Sequence, residues 1–451
     1  MVGFLVVKSR LPLDARTMGL SKSDLQGLDD ARFRASYALM TPQTELPIGS
    51  SGRLRSRRFL VGYGAAQAGA FICFIPLLTL LLPMRAEAIA GADKAVLLGQ
   101  AAMVGGLAAA IANITFGALS DGKNGRFGRR RPWILGGLAA SALTLGLIGA
   151  ATTPASLILA VVAFQFAINA LYAPFTALVP DMVPDRQKGA TSALTSLALP
   201  IASIFTAVVV VGLAGSIRAQ IFAIVSAALI LILPFALTLR EPIVKAMGRP
   251  RWRLSLAAFK DIKFSLAFAS RLLTESGVAI NTLFLFFLVQ GQSEVARPWA
   301  WSDLEMFSAL LLTSTVTSTL GGLTSGFLSD RVGRRAPFVI AGGIGMAAGL
   351  GLLAYGADGV GLLLAQTVFG LAHGVHAGSV SAMTAEILPD PVHAGRDLGL
   401  MNLAIALPQG VAPAVAAIVL TAGMPLTTVF GLAGLGVIAA AAILAPLVRT
   451  V

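Results

Sequence analysis

Runs of about twenty apolar residues, repeated along almost the whole chain, leave very few folds open to this sequence. A helix rises 1.5 Å per residue, so about twenty residues cross the roughly 30 Å hydrocarbon core of a bilayer. In hydrocarbon a backbone N–H or C=O has no water to bond, so the chain must satisfy itself as helices or as a closed barrel. Runs this long, without strict alternation, are helical. They predict twelve spans, near residues 59–83, 94–119, 133–152, 155–179, 190–214, 218–239, 263–290, 303–328, 337–356, 359–387, 397–421 and 425–447. Composition agrees. Of 451 residues, 56% are hydrophobic and 12% charged, where a soluble domain carries about 25% charge. Mean hydropathy is +0.82. The predicted fold class is an all-α membrane protein, with twelve transmembrane helices in two six-helix bundles.

The charge balance is +13, from 34 Lys and Arg against 21 Asp and Glu. In a soluble chain that would point to nucleic acid. Here the basic residues sit between apolar runs and read as topology signals instead. Lys123, Arg126, Arg129, Arg130 and Arg131 lie between spans 2 and 3, and Arg240, Lys245, Arg249, Arg251, Arg253 and Lys260 between spans 6 and 7. Arg331, Arg334 and Arg335 lie between spans 8 and 9. The opposite loops hold Arg85, Lys94, Arg218 and Arg297. The basic side is therefore expected in the cytoplasm, with both termini there and the protein multi-pass in the cell membrane. Residues 1–57 are polar and read as a disordered cytoplasmic tail without a signal-peptide core; Met40 offers an alternative start. The single cysteine, Cys73, lies inside an apolar run and reads as a small packing residue. No metal-ligand spacing, nucleotide-binding loop or nucleophile–base set is visible, so neither metal, cofactor nor enzyme activity is expected.

The chain repeats itself. Gly117, Ser120 and Asp121 recur as Gly326, Ser329 and Asp330, 209 positions later. Each is followed by a Gly-Arg-Arg-x-Pro-aromatic run, Gly128 to Trp133 and Gly333 to Phe338. Pro180 and Asp181 recur as Pro389 and Asp390, again 209 apart, and Pro200 recurs as Pro408. Two like-oriented halves follow, at 58–240 and 263–451, with 241–262 as a cytoplasmic linker. Parallel repeats of this kind are common in transporters.

The stretch from Gly117 to Trp133 has readable physics. Gly and Asn permit a tight turn, the arginines hold it outside the hydrocarbon, and Pro132 starts the next helix well. Asp121 can cap a helix or pair with an arginine. The segment resembles the loop motif between helices 2 and 3 of the major facilitator superfamily. Its long form resembles the branch of glycoside–pentoside–hexuronide:cation symporters and plant sucrose transporters. The shorter run from Asp330 to Arg335 resembles the general superfamily motif. The resemblance covers residues 59–448 and implies alternating-access transport. It implies a gating role for Gly117, Asp121, Gly128, Arg129, Arg130, Arg131, Asp330, Gly333, Arg334 and Arg335. The chain departs from melibiose-permease-like members on helix 2. They carry acidic cation ligands where this chain has Ala109 and Asn113, so sodium coupling at that site is not expected.

Ionisable groups at membrane depth are functional suspects by default. Arg271 and Glu275 share one face of helix 7, and His373 and His376 share one face of helix 10. All four are candidates for proton coupling, against the simpler readings of a snorkelling pair and a packed histidine pair. The amides Gln67, Asn113, Gln165, Asn169, Asn281, Gln366, Asn402 and Gln409 suit a hydroxyl-rich solute or interhelical bonding. Tyr63 and Tyr172 are candidates for stacking on a sugar ring. No Trp is expected at depth: Trp133 is interfacial, and Trp252, Trp299 and Trp301 fall in loops. The expected function is proton-coupled symport of a glycoside or other small polyhydroxyl solute by a monomer in the lipid bilayer, with no nucleic-acid partner. A proton-driven exporter of a small apolar molecule and a transport-inactive membrane sensor are the alternatives.

Overall fold

A computed structural model describes residues 54–120, 128–241, 256–291, 300–355, 358–389 and 394–449. The expected tail to residue 53, Asp121, most of the linker, Trp252 and Trp299 lie outside the described residues. The described chain is helical, with no strand. Helix α1 is built in three pieces, Arg57–Pro76, a π turn at Leu77–Leu81, and Leu82–Ala90. Then come α2 (Lys94–Ser120), α3 (Arg131–Ala150) and α4 (Pro154–Thr176). Helix α5 comprises Asp185–Ser196, Ala198–Phe205 and a second π turn, Thr206–Val210. The rest are α6 (Ile217–Thr238), α7 (Ile262–Gln290), α8 (Asp303–Val332), α9 (Ala336–Ala354), α10 (Gly359–Glu386), α11 (Ala394–Thr421) and α12 (Leu426–Leu444).

Eleven described stretches are apolar and long enough to cross a membrane, the first of them Arg57–Gly117 at 61 residues. Straight, that stretch would reach about 90 Å, three times the hydrocarbon core. It breaks at Gly91, which takes φ +53° and opens a short 3-10 turn, Gly91–Asp93. The first stretch is therefore two spans, α1 and α2, and the count among the described residues is twelve. Starts are set by local chemistry. Reciprocal capping boxes open α4 (Thr153 with Ser156) and α8 (Ser302 with Glu305), supplying partners for orphan first-turn N–H groups. Prolines sit in the first turns of α3 and α9, where a missing N–H costs nothing.

One expectation is corrected here. Arg85 was placed in a loop, but α1 continues past it to Ala90. Its guanidinium reaches across to donate to the Ala151 carbonyl. Arg218 lies in the first turn of α6, where its span is expected to begin.

Packing repeats with a shift of six helices. In one half α1 packs on α5 and α6, α2 on α4, and α3 on α4 and α6. In the other, α7 packs on α11 and α12, α8 on α10, and α9 on α10 and α12. Across the halves, α2 meets α11 and α5 meets α8, which are mates under the same shift. Two six-helix bundles related by a pseudo-twofold axis account for all of these pairs.

The seams are made of small residues, since in lipid close backbone approach substitutes for the missing hydrophobic force between helices. The α8–α10 seam is the tightest. A Cβ on Gly374 would strike the Ser318 carbonyl, and one on Gly321 the Leu371 carbonyl. Ser325 adds a bond to Ser379 at 2.7 Å.

The halves do not touch evenly along their length. The two ends of the bundle are distinguished by the arginine-bearing turns, so one is the basic end. At the other end the π turn of α1 packs on α7, and Ser308 Oγ of α8 donates to the Ala207 carbonyl in the π turn of α5, at 2.7 Å. From near that end to the middle of the membrane α2 approaches α11 closely: a Cβ on Gly99 would lie 2.6 Å from the Pro413 carbonyl, and one on Gly106, midway along α2, 2.8 Å from Gly410 Cα. Among the described residues, the hydrogen bonds that cross between halves all lie at this end. At the basic end the hydrogen bonds between described residues join residues of the same half.

Replacing Gly374 by Ala should destabilise the protein by about 1–3 kcal/mol through overpacking. Gly436→Ala, where an added Cβ meets nothing within 4 Å, should leave stability unchanged or slightly raised. Melting temperatures in detergent compare the two. Equal melting would mean that the α8–α10 seam is not rigid.

Candidate functional site

At the basic end, the turn into α3 is organised by a carboxylate from the end of α6. Glu241 accepts the backbone N–H groups of Arg129 (2.9 Å), Arg130 (2.9 Å) and Arg131 (2.7 Å). Three N–H groups at a helix start carry partial positive charge, so a carboxylate is a well-matched cap. Gly128 takes φ +94°, and a Cβ there would lie 2.7 Å from Glu241 Oε1, so glycine is required twice over. The guanidinium groups of Arg129 and Arg130 both reach Asp181 Oδ2, at 2.6 Å each. Arg130 is 4% exposed and also bonds Ser120 Oγ at 3.4 Å.

The second half repeats part of this design. Arg335 donates to Ser329 Oγ at 2.8 Å, as Arg130 does to Ser120, and reaches Glu386 Oε1 at 3.5 Å. Gly333 ends α8 in the left-handed conformation, φ +66°, while Arg334 is exposed. Gly117 has open space around it. Asp121 and the side chain of Asp330 lie outside the described residues.

Deeper in the first half, the amides bond to one another. Gln67 Nε2 donates to the Tyr172 hydroxyl at 3.1 Å, and Asn113 Nδ2 to Asn169 Oδ1 at 3.1 Å. Asn169 Nδ2 in turn donates to the backbone carbonyl of Gln165, one turn earlier on α4, at 2.8 Å. Tyr63 is 2% exposed. Its ring stacks on Phe175 at 4.5 Å and meets the edge of Phe235. Its hydroxyl bonds the Phe175 carbonyl at 3.4 Å. In this conformation Tyr63 therefore has no ring face free for a sugar, contrary to the sequence expectation.

In the second half, Gln366 Nε2 donates to Asn281 Oδ1 at 2.7 Å. Arg271 Nε stands 3.9 Å from Glu275 Oε1, the outer limit of an ion pair. Its Nη1 lies 3.5 Å from Thr384 Oγ1 on α10. His376 Nδ1 faces the Val339 carbonyl at 3.2 Å, and His373 Nδ1 faces Ser318 Oγ at 3.2 Å. The structure thus separates the two histidines: His376 turns toward α9 and His373 toward α8. Asn402 and Gln409 are exposed on α11.

Four buried polar atoms in these clusters have no hydrogen-bond partner: Gln67 Oε1, Gln366 Oε1, Arg271 Nε and His376 Nε2. At membrane depth such atoms cost free energy. Two cavities, of about 640 and 600 Å³, lie elsewhere. One is bounded by Phe116, Trp133 and Phe166 across α2, α3 and α4; the other by Gln100, Met103 and Thr421 between α2 and α11. Sequence reasoning missed Glu241 as a cap and Asp181 as a partner of the arginines, although the repeat of Pro180 and Asp181 was a usable signal.

The sequence profile of the Major Facilitator Superfamily matches residues 59–300 and 292–451. The chain belongs to the major facilitator superfamily. No curated protein is similar enough in sequence to stand as a relative. Solved superfamily-type transporters share the fold across nearly their whole length. The nucleoside transporter NupG is 18% identical with a TM-score of 0.66, over 86% of this chain and 98% of that one. The peptide transporter POT in complex with sulfate is 13% identical with a TM-score of 0.69, over 87% and 94%. A bacterial homologue of the human lysosomal transporter Spinster, inward-facing and occupied, is 13% identical with a TM-score of 0.64, over 88% and 96%. At these identities the likeness is one of fold. The protein is thus a multi-pass transporter of this superfamily.

Removing the Glu241 carboxylate leaves three N–H groups at the α3 start to water or to nothing. Glu241→Ala should cost about 1.5–3 kcal/mol, the range for hydrogen bonds to a charged group, with Glu241→Gln costing less. Differential scanning fluorimetry in detergent reads the effect. Unchanged melting in Glu241→Ala would show that the carboxylate is not what holds the turn.

Proposed function

We propose that this protein is a secondary active carrier that works by alternating access, coupling a proton to the movement of a glycoside or other small polyhydroxyl solute. The observation that carries the solute class is the state of the buried amides. Gln67 and Gln366 have each spent their N–H on a neighbour while keeping a buried carbonyl oxygen with no partner. An acceptor held ready in this way suits a hydroxyl donor. The amides Asn113 on α2, Gln165 and Asn169 on α4 and Asn281 on α7, with Tyr172 on α4, supply further donors and acceptors.

The moving bodies in this reading are residues 58–240 and 263–451, joined by the linker at 241–262, with 1–57 as an N-terminal tail. The basic end faces the cytoplasm by the positive-inside rule. The structure then corresponds to the state open toward the cytoplasm, because the halves meet at the other end. In the opposite state the basic turns come together, and Asp121, Asp330 and the arginines of both turns form the closing contacts. The proton is carried by Glu275, whose neighbour Arg271 can hold or release the carboxylate as the surroundings change from wet to dry. His376 and His373 are the fallback carriers.

Purified protein in proteoliposomes, given a panel of radiolabelled sugars, glycosides and nucleosides with the outside made more acid, should accumulate at least one hydroxyl-rich solute. Collapsing the pH gradient should stop the accumulation. Glu275→Gln should lose uphill uptake while keeping solute exchange, which needs no net proton movement. If Glu275→Gln accumulates normally and His376→Gln or His373→Gln does not, the relay belongs to α10. Accumulation that ignores the pH gradient in the unmodified protein would overturn proton coupling.

A further inference from the structure

The end opposite the arginine turns is closed by a small polar ring that joins the two halves. Glu87 lies near the end of α1, Lys94 opens α2, and Gln290 ends α7. Lys94 Nζ donates to Glu87 Oε1 at 2.7 Å and to Gln290 Oε1 at 2.6 Å. Gln290 Nε2 donates to Glu87 Oε2 at 2.8 Å, which closes the ring. Lys94 Nζ also stands 4.9 Å from the centroid of Phe287, on the same helix as Gln290. Two of the three hydrogen bonds, and the cation–π contact, cross from one half to the other.

A second observation points to the same place. Among the described residues, the π turns Leu77–Leu81 and Thr206–Val210 both fall in the first half. Both sit where that half meets the second, one on α7 and the other on α8. A π turn leaves a helix locally uneven, a common point of bending and function. The corresponding helices of the second half, α7 and α11, run unbroken.

We infer that Glu87, Lys94 and Gln290 form a clasp that holds the carrier shut at this end, and that Gln290 is the residue on which closure turns. The inference rests on the alternating-access reading. When the halves part at this end, Gln290 leaves with α7 and the bonds to Glu87 and Lys94 are lost. The Glu87–Lys94 pair stays within one half. The clasp therefore biases the balance between the two states without touching the solute site. The pair is partly exposed, with side chains 37% and 25% accessible. Its bias is accordingly modest, a few-fold in population rather than an absolute lock. The amide of Gln290 is the neutral member of the ring and can both donate to a carboxylate and accept from an ammonium. It can thus serve either order of charges.

That property gives a sharp test. In a Cys73→Ala background, a cysteine replaces Leu80, which is fully buried in the α1 π turn. Alkylation by a membrane-impermeant maleimide then reports opening of this end. Gln290→Leu and Lys94→Glu should each raise the alkylation rate at least about threefold. The exchanged pair Glu87→Lys with Lys94→Glu should restore protection, because Gln290 can serve both charges in their new places. Retained elution volume and melting temperature show that the variants fold. A second cysteine, at exposed Asn402 on α11, reads the basic end and should be labelled more slowly whenever the Leu80 position opens. Unchanged Leu80 alkylation in Gln290→Leu, or failure of the exchanged pair to restore protection, overturns the clasp. Faster alkylation at Leu80 without slower labelling at Asn402 upholds the clasp but contradicts alternating access.

Discussion

Every polar group this chain carries into the membrane must find its partner within the protein, because hydrocarbon offers none. That constraint makes the backbone helical, and its reach extends to the side chains. Hydroxyls along the spans fold back onto their own helices: Thr79 onto Ile75, Thr206 onto Ala202, Thr274 onto Ser270 and Thr315 onto Leu311. Amides pair across helices, Gln67 with Tyr172 and Asn281 with Gln366. Against this background of satisfied groups, a few buried atoms, among them Gln67 Oε1 and Gln366 Oε1, have no hydrogen-bond partner.

The same solvent shapes the packing. With no hydrophobic drive between helices, close approach depends on small side chains. The α8–α10 seam sets Gly321 and Gly374 directly against facing carbonyls. The contact of α2 with α11 uses Gly99, Gly106 and Gly410 in the same way, but between halves and from near the end away from the arginine turns to the middle of the membrane. A bundle on each side and a small-residue contact between them allow rotation without repacking the interior of either bundle. The charged networks divide accordingly. Glu241, Asp181 and the arginines brace one half internally, whereas Glu87, Lys94 and Gln290 bridge two.

Much of this was legible in the sequence. Apolar runs bounded by Pro, Gly and charge gave nearly every span to within a few residues, since length and solvent dictate both. The exception is instructive. The first span was expected to stop near Pro83 and Arg85, yet the helix continues to Ala90. Pro83 falls in the first turn after the π turn at Leu77–Leu81, where a proline needs no helical partner. The offset of 209 residues announced the two like halves, and the superfamily profile bears out that family. The site was less legible. That Glu241 caps α3, 112 residues away from Arg129, is a matter of tertiary placement with no local signature. Which amide pairs with which is of the same kind. Tyr63 looked available from its position in a span, but only the fold shows Phe175 lying against its ring.

The central claim is that two six-helix halves pivot so that one end closes as the other opens. Double electron–electron resonance tests it most directly. Spin labels in a Cys73→Ala background would sit at Leu119 and Leu328 across the basic end, and at Asp93 and Met424 across the other. As the pH of the sample is moved from acid to alkaline, the account predicts that the two distance distributions shift in opposite senses, one lengthening as its counterpart shortens. Distances that stay single and fixed at both ends, or that lengthen together, would contradict it.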